Sequence, residues 1–286
     1  MVFLLSSVSC SVLVSVLLKL AARRGLDAGQ MVTWNYLVAA ALCAWGLAPP
    51  LDALRGPDAP WPALLLLGLV LPGGFLVLAA SVRRTGIVRS DIAQRLSLLV
   101  SLSAAFLWFG EALTPWKLAG LALGLVAIVC LLWRAPRDGD ARAGWALPLA
   151  VLAVFASVDI LLKIIARAGT PFAASLLAAF ALAFVLMLAV QGVRIARGRT
   201  RLSWRDAGAG ALLGLLNFGN IVFYVRAHQT LADSPAAVFA GMNIGVVLLG
   251  TLVGALAFGE PLRRINRIAV PMAVAAIALI AWGARG

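Results

Sequence analysis

The chain has 286 residues, of which 63% are hydrophobic and 12% are charged, and its mean hydropathy is +1.02. Soluble domains carry about a quarter charged residues and need a polar exterior, so this composition excludes a water-soluble enzyme or binding domain. The net charge of +13 comes from basic residues in short segments between apolar runs, without a basic stripe interleaved with aromatic residues. This pattern excludes a nucleic-acid partner and indicates the lipid bilayer instead.

The apolar runs predict ten transmembrane helices, because each is close to the ~20 residues that a helix needs to cross the hydrocarbon core. The predicted spans are 2–20, 31–49, 61–81, 90–109, 115–133, 145–166, 171–191, 207–225, 234–257 and 265–283.

The breaks between these runs carry signals for helix ends. A hydroxyl N-cap before a proline in the first helical position is predicted at Thr114-Pro115, Thr170-Pro171 and Ser234-Pro235. Helix C-termini are predicted near Gly25, Gly110, Gly169 and Gly259.

Most arginines lie in the loops that follow odd-numbered spans. By the positive-inside rule these loops face the cytoplasm, which places both termini outside. The expected location is a bacterial-type inner membrane, crossed many times.

Two pairs of segments indicate that the chain is duplicated. Residues 15–25 (SVLLKLAARRG) resemble residues 159–169 (DILLKIIARAG), and the Phe-Gly-Glu of residues 109–111 recurs at 258–260. Their common order favours duplication over coincidence.

The duplication divides the chain into a first five-helix repeat (1–134), a cytoplasmic linker (135–144) and a second five-helix repeat (145–286). Because each repeat has an odd number of spans, the second enters the membrane in the opposite direction. The expected fold is therefore an all-α integral membrane protein of ten helices in two inverted-topology repeats, an arrangement common in secondary transporters.

This architecture resembles the EamA-like family of the drug/metabolite transporter superfamily. The residues that carry the likeness are Lys19, Asn35-Tyr36, Gly110-Glu111, and Gly259-Glu260 followed by Pro261-Leu262. The resemblance implies transport of small metabolites, commonly export, without implying a particular substrate. Members are usually drawn with both termini in the cytoplasm, whereas the arginine distribution of this chain predicts the opposite.

Polar side chains within spans are functional candidates, because they are costly to place in lipid. Arg95 lies in the fourth span, one turn after Asp91, which could pair with it. Facing a cavity, Arg95 would suit a carboxylate or phosphate of the substrate; otherwise it forms a structural ion pair or extends to the headgroups. The Phe-Gly-Glu alignment places Gln94 opposite Asn243, and these amides either bind substrate or join helices.

The eighth span carries Asn217, Asn220 and Tyr224 at three- and four-residue spacing. They share one helix face, which must look into protein or water rather than lipid. This face is a predicted cavity wall, with helix packing as the alternative. Asn35 and Tyr36 are weaker candidates.

Three charged residues are predicted to act in gating. Lys19 and Lys163 are equivalent positions of the two repeats, and Asp159 lies one turn before Lys163. Each lysine either closes one end of the cavity or extends to the headgroups. For Glu111 and Glu260, in the turns after the Phe-Gly dipeptides, capping of the next helix is favoured over titration during transport.

These residues predict a secondary transporter that exports or exchanges a small polar metabolite, amino-acid-like or an organic anion, across the inner membrane by alternating access. Its cavity is expected between spans one, three, four, six, eight and nine, with spans five and ten peripheral. Catalysis, metals and cofactors are not expected, and the oligomer is expected to be a monomer or a homodimer. The alternatives are a carrier of lipids or lipid-linked molecules with the same fold and a structural membrane subunit that does not transport.

Overall fold

The computed structural model describes residues 2–56, 59–109, 114–132, 143–230, 235–259 and 264–283. This part of the chain forms ten α-helices and one short 3₁₀ helix, Leu51–Leu54. The α-helices are α1 Val2–Arg23, α2 Ala28–Leu47, α3 Trp61–Thr85, α4 Ile87–Phe109, α5 Pro115–Leu132, α6 Ala143–Arg167, α7 Phe172–Ala196, α8 Trp204–Thr230, α9 Pro235–Phe258 and α10 Arg264–Gly283.

Six of the described helices are long and apolar enough to cross a bilayer: α1, α3, α6, α7, α8 and α9. α5 and α10 contain further apolar stretches, Pro115–Ala127 and Arg267–Gly283. Exposed tryptophans lie near helix ends, where an amphipathic ring suits the membrane interface. They are Trp45, Trp61, Trp116, Trp145, Trp204 and Trp282. The chain is a multi-pass membrane protein.

The helix-end predictions are mostly confirmed. Gly25, Gly169 and Gly259 adopt φ of +67°, +76° and +63°, the left-handed conformation of a helix C-terminus. The Thr114 hydroxyl accepts a hydrogen bond from the backbone N–H of Lys117 at 3.3 Å and so caps α5.

The predicted start of α7 is wrong. Pro171 is in the N-cap position, with an extended ψ of 134° and no side-chain cap bond, so the helix begins at Phe172. Thr170 is therefore one residue too early to be the N-cap. Gly110, Glu111 and Ser234, together with residues 260–263, lie outside the described residues.

Several helices are longer than the predicted spans, since hydrogen-bonded turns continue beyond the apolar stretch. α7 extends to Ala196 rather than 191, and α8 covers Trp204–Thr230 rather than 207–225. α6 begins at Ala143, within the predicted linker 135–144, whose earlier residues lie outside the described part.

The main helix contacts join the first half of the chain to the second. α1 packs on α8 and α9, while α6 packs on α3 and α4. α2 packs on α8, and α7 packs on α3. The pairs α2–α7, α4–α9 and α5–α10 also cross between the halves. These contacts come in equivalent pairs when α1 to α5 are matched in order with α6 to α10. The α1–α8 contact then corresponds to α6–α3, α1–α9 to α6–α4, and α2–α8 to α7–α3.

Two glycines bring α8 against the backbone of α2. A Cβ atom on Gly210 would lie 2.6 Å from the carbonyl oxygen of Met31, and one on Gly214 would lie 2.7 Å from that of Asn35. Such contacts let helices approach more closely than side chains permit. They place the polar residues of α8 beside those of α2.

A polar network fixes the α1–α2 loop to α7 and the loop after it. Asp27 caps α2 by accepting hydrogen bonds from Gly29 N at 2.8 Å and Gln30 N at 3.3 Å. It forms an ion pair with Arg194, 2.7 Å from Oδ2 to Nη2, and accepts from the Thr200 hydroxyl at 3.0 Å. Burial alone would raise the pKa of Asp27, but the hydrogen bonds from Arg194 and Thr200 outweigh burial and hold this pKa below its ordinary value.

Gln30 completes this network. Its side-chain nitrogen donates to the carbonyl oxygen of Arg201 at 2.8 Å, and its oxygen accepts from the backbone N–H of Ser203 at 3.2 Å. The backbone N–H of Asp27 donates to the Asp206 carboxylate at 3.1 Å. The network therefore reaches the first turn of α8.

We expect Asp27→Asn to destabilise the protein by about 1–3 kcal/mol at neutral pH, because Arg194 loses its charged acceptor. An aspartate with a lowered folded-state pKa contributes stability above its unfolded pKa of about 3.9 and loses that contribution as pH falls through the folded value. The difference from wild type should thus persist from pH 7 to about pH 5 and shrink in stronger acid. The thermal unfolding midpoint of the purified protein, measured against pH, tests this.

Asp52→Asn is the matched control. Asp52 pairs with Arg55 at 3.3 Å, but both side chains are more than 80% exposed, so its loss should leave the midpoint unchanged. Equal midpoints for Asp27→Asn and Asp52→Asn at pH 7 would show that the network does not stabilise the fold.

Candidate functional site

A cavity of about 400 Å³ lies inside the helix bundle. Small-molecule sites in proteins commonly have volumes of this order. Its described wall comes from α1 to α4 and α6 to α9, while α5 and α10 supply none of the lining residues. The sequence predicted six of these eight helices, and the contributions of α2 and α7 were missed.

All six predicted substrate-binding residues lie in this wall: Gln94, Arg95, Asn217, Asn220, Tyr224 and Asn243. They come from α4, α8 and α9, so the fold collects polar groups that are far apart along the chain.

Three serines of α1 attach the polar wall to neighbouring helices. The Ser7 hydroxyl lies 2.7 Å from Oδ1 of Asn220, a hydrogen bond that joins α1 to α8. The Ser11 hydroxyl accepts from Nη2 of Arg95 at 2.6 Å, and the Ser15 hydroxyl donates to Oδ1 of Asp91 at 2.6 Å. This serine ladder fixes polar groups of both α4 and α8.

Arg95 is eight residues from the start of α4, about 12 Å along the helix axis. The carboxylates of Asp91 and Asp159 lie close enough to its guanidinium group to stabilise the positive charge. Asp91, the residue predicted to pair with Arg95, is held in place by the Ser15 hydroxyl. The buried Nε of Arg95 forms no hydrogen bond within the described residues. Arg95 is a cation positioned deep in the bundle, at the cavity.

Asp159 also lines the cavity, although the sequence analysis assigned it to a gate with Lys163. It is exposed, and its Oδ2 accepts from the Ser97 hydroxyl at 3.3 Å. Its position one turn before Lys163 led to the gating interpretation, but the same position on α6 turns the carboxylate towards the cavity. Arg95 and Asp159 therefore give one wall both signs of charge.

The two predicted gating lysines do not line the cavity. Lys19 Nζ lies 5.7 Å from the ring centroid of Phe258, which Arg23 also approaches at 5.0 Å. This cluster joins the ends of α1 and α9. Lys163 is half-buried, one turn before Arg167, the last residue of α6. Both lysines thus lie near helix ends, a placement compatible with gating and with extension to the headgroups.

The remaining wall is largely aromatic and aliphatic. Tyr36 is fully buried and contacts Phe75 edge-on at 5.9 Å between ring centroids and Phe180 at 5.8 Å. Phe155 and Phe172 line the same cavity. The Tyr36 hydroxyl has no hydrogen-bond partner in the described part of the chain. The cavity therefore combines a charged and amide-rich region with an aromatic one.

Asn35, a weaker candidate, lies behind this wall. Its Oδ1 accepts a hydrogen bond from Nδ2 of Asn217 at 3.3 Å, which links α2 to α8. The amide of Asn217 therefore lines the cavity and also joins two helices. A role in the cavity wall and a role in helix packing are thus compatible for this residue.

The serine ladder and the phenylalanines of the cavity wall were not predicted from the sequence. The ladder did leave a signal, since Ser7, Ser11 and Ser15 recur every four residues and hence share one face of α1. The phenylalanines left none, because a phenylalanine that faces the cavity and one that faces lipid look alike in an apolar helix.

Comparison with known proteins agrees with this architecture. The EamA-like transporter family model matches residues 1–133. An uncharacterized protein of Haemophilus influenzae (strain ATCC 51907 / DSM 11121 / KW20 / Rd) is 38% identical over 284 residues, covering 96% of this chain and 95% of that protein. A known crystal structure superposes with a TM-score of 0.59 at 18% identity, covering 98% of this chain and 99% of the other, a likeness of fold alone. The chain belongs to the EamA-like transporter family of the drug/metabolite transporter superfamily.

Proposed function

We propose that this protein is a secondary transporter that moves a small polar metabolite across a bacterial inner membrane by alternating access. The observation that carries the proposal is the cavity between the two halves of the chain, with Arg95 in its wall. A cation in the cavity wall attracts an anion, so a substrate carboxylate or phosphate that enters the cavity would bind Arg95.

The proposed architecture is ten transmembrane helices in two inverted repeats, 1–134 and 145–286. The helix contacts support it, because α1–α8 corresponds to α6–α3 and α1–α9 corresponds to α6–α4. Two such halves can exchange outward-open and inward-open shapes around a central site. The arginine-rich loops would face the cytoplasm and both termini the outside, and the protein would act as a monomer or a homodimer.

The charges of the wall support a substrate with a carboxylate or another anionic group. Its anion would bind Arg95, and the amides of Asn217, Asn220, Gln94 and Asn243 would orient its polar atoms. Asp159 on the same wall favours a zwitterionic, amino-acid-like substrate over a plain organic anion, since its carboxylate would attract an ammonium group. Lys19 and Lys163, near helix ends, would close the cavity in turn.

Counterflow in liposomes tests the function. The purified protein would be reconstituted and offered labelled amino acids, organic acids and sugars, and we expect saturable exchange of an anionic or zwitterionic class. If no solute in this panel moves while the protein remains folded, the transporter proposal fails. If only neutral sugars move, the assignment of Arg95 fails.

Asn220→Ala should raise the half-saturation concentration for that solute about tenfold, because an unpaired polar group costs about 1–3 kcal/mol. The Asn220 amide lines the cavity and accepts from Ser7, so the variant also loosens one anchor of the wall. Thr230→Ala is the control on the same helix, since the Thr230 hydroxyl donates to carbonyl oxygens of α8 itself and Thr230 is not among the cavity-lining residues. Unchanged saturation in Asn220→Ala would remove Asn220 from the binding site.

A further inference from the structure

The loop between α7 and α8, together with the first residues of α8, carries an unusual combination of exposed side chains. Four arginines of this stretch are exposed: Arg197, Arg199, Arg201 and Arg205. Two apolar residues among them are also highly exposed, Leu202 at 71% and Trp204 at 91%. We call residues 197–205 the basic segment.

The basic segment is held in place rather than extended freely. Gly198 turns the chain after α7 with φ of +66°, and Arg199 N donates to the carbonyl oxygen of Arg194 at 2.8 Å. The Arg201 carbonyl and Ser203 N–H bind Gln30 at 2.8 and 3.2 Å. The backbone of the segment is thus attached to α2 while its arginine side chains project outwards.

Within the described part of the chain, none of the four exposed arginines of the basic segment forms an ion pair. Arg194, just before the segment, differs from them because its guanidinium group forms an ion pair with Asp27. The positive charge of the segment is therefore left for a partner outside the chain.

We propose that the basic segment binds the phosphate headgroups of anionic phospholipids. Arginine guanidinium groups bind phosphate oxygens with charge-assisted hydrogen bonds, and clusters of basic residues beside membrane-spanning helices attract anionic lipid. Trp204 is the first residue of α8, so its ring lies at the membrane boundary, where tryptophan side chains are favoured.

The apolar residues favour a lipid over a soluble polyanion. Leu202 and Trp204 would remain in water if the segment bound free phosphate, whereas beside a lipid they reach the boundary of headgroups and acyl chains. Other exposed arginines at this end of the bundle, Arg83 and Arg84, are followed by Thr85 and Gly86 and have no such apolar residues beside them. Arg83 and Arg84 therefore carry positive charge without the exposed apolar residues of the basic segment.

Native mass spectrometry of the full chain in detergent tests the proposal. Phosphatidylglycerol and phosphatidylcholine with identical acyl chains would be titrated onto wild type and onto R197Q/R199Q/R201Q. We expect wild type to prefer phosphatidylglycerol and the triple variant to bind it about 100-fold more weakly, since each basic residue near anionic lipid contributes about fivefold.

The control R24Q/R83Q/R84Q removes the same charge from exposed arginines at the same end of the bundle and should keep the wild-type affinity. An equal loss in this control would show general charge attraction and overturn the proposal. So would unchanged binding in R197Q/R199Q/R201Q. Glycerol 3-phosphate, which lacks acyl chains, should not displace bound phosphatidylglycerol, and displacement would identify a soluble phosphate site instead. Trp204→Ala should weaken phosphatidylglycerol binding without changing binding of glycerol phosphate.

Discussion

Arg95→Ala should nearly abolish uptake of the anionic or zwitterionic substrate in liposomes. Removing one member of a buried charged contact typically costs about 2–5 kcal/mol, which corresponds to at least ~30-fold in affinity. Arg95 lies about 12 Å along α4, and its guanidinium group donates a hydrogen bond to Ser11 at 2.6 Å. A cation so placed offers two parallel donors to a carboxylate.

Arg95→Lys tests whether a positive charge alone is sufficient for transport or whether the planar guanidinium group is required. A lysine keeps the positive charge but cannot form the planar, two-donor contact, so partial recovery of transport is expected, with a raised half-saturation concentration. Arg226→Ala is the matched control, because Arg226 is exposed near the end of α8 and does not line the cavity. Full transport in a folded Arg95→Ala protein would exclude Arg95 from substrate binding.

The fold was largely predictable because its determinants are local. A span of about 20 apolar residues has few alternatives in a membrane protein, so the ten runs each appear as a helix in the described structure. Helix ends were less predictable, since Pro171 rather than Thr170 takes the N-cap position and α7 continues to Ala196. These details depend on backbone angles and on contacts beyond the apolar core.

The cavity wall was predictable where the side chain is costly in lipid. Arg95 and Asn220 stand out for this reason, and the structure brings both to one cavity. Asp159 was assigned to a gate because its four-residue spacing from Lys163 can be recognised in the sequence. Its orientation towards the cavity cannot, because it depends on how α6 packs on α3 and α4. Phe180 was not predictable, because its facing direction is set by packing alone.

Gly214→Ala should destabilise the protein by about 1–3 kcal/mol, the typical cost of overfilling a well-packed contact. The added Cβ would lie 2.7 Å from the carbonyl oxygen of Asn35 and 2.9 Å from Cβ of Val38. A backbone atom cannot rotate away as a side chain can, so α8 must move off α2. The hydrogen bond from Asn217 to Asn35, one turn further along α8, would lengthen with it.

Gly208→Ala is the control on the same helix, because a Cβ there meets no atom within 4 Å. Alanine is more favourable than glycine inside a helix by up to ~1 kcal/mol. The unfolding midpoint of Gly208→Ala should therefore equal or exceed that of wild type. Measured side by side in detergent, a midpoint drop confined to Gly214→Ala would show that the close contact of α8 with α2 stabilises the fold. Equal midpoints would mean that the two helices separate at little cost. In that case Asn217 would be held in the cavity wall by something other than this packing.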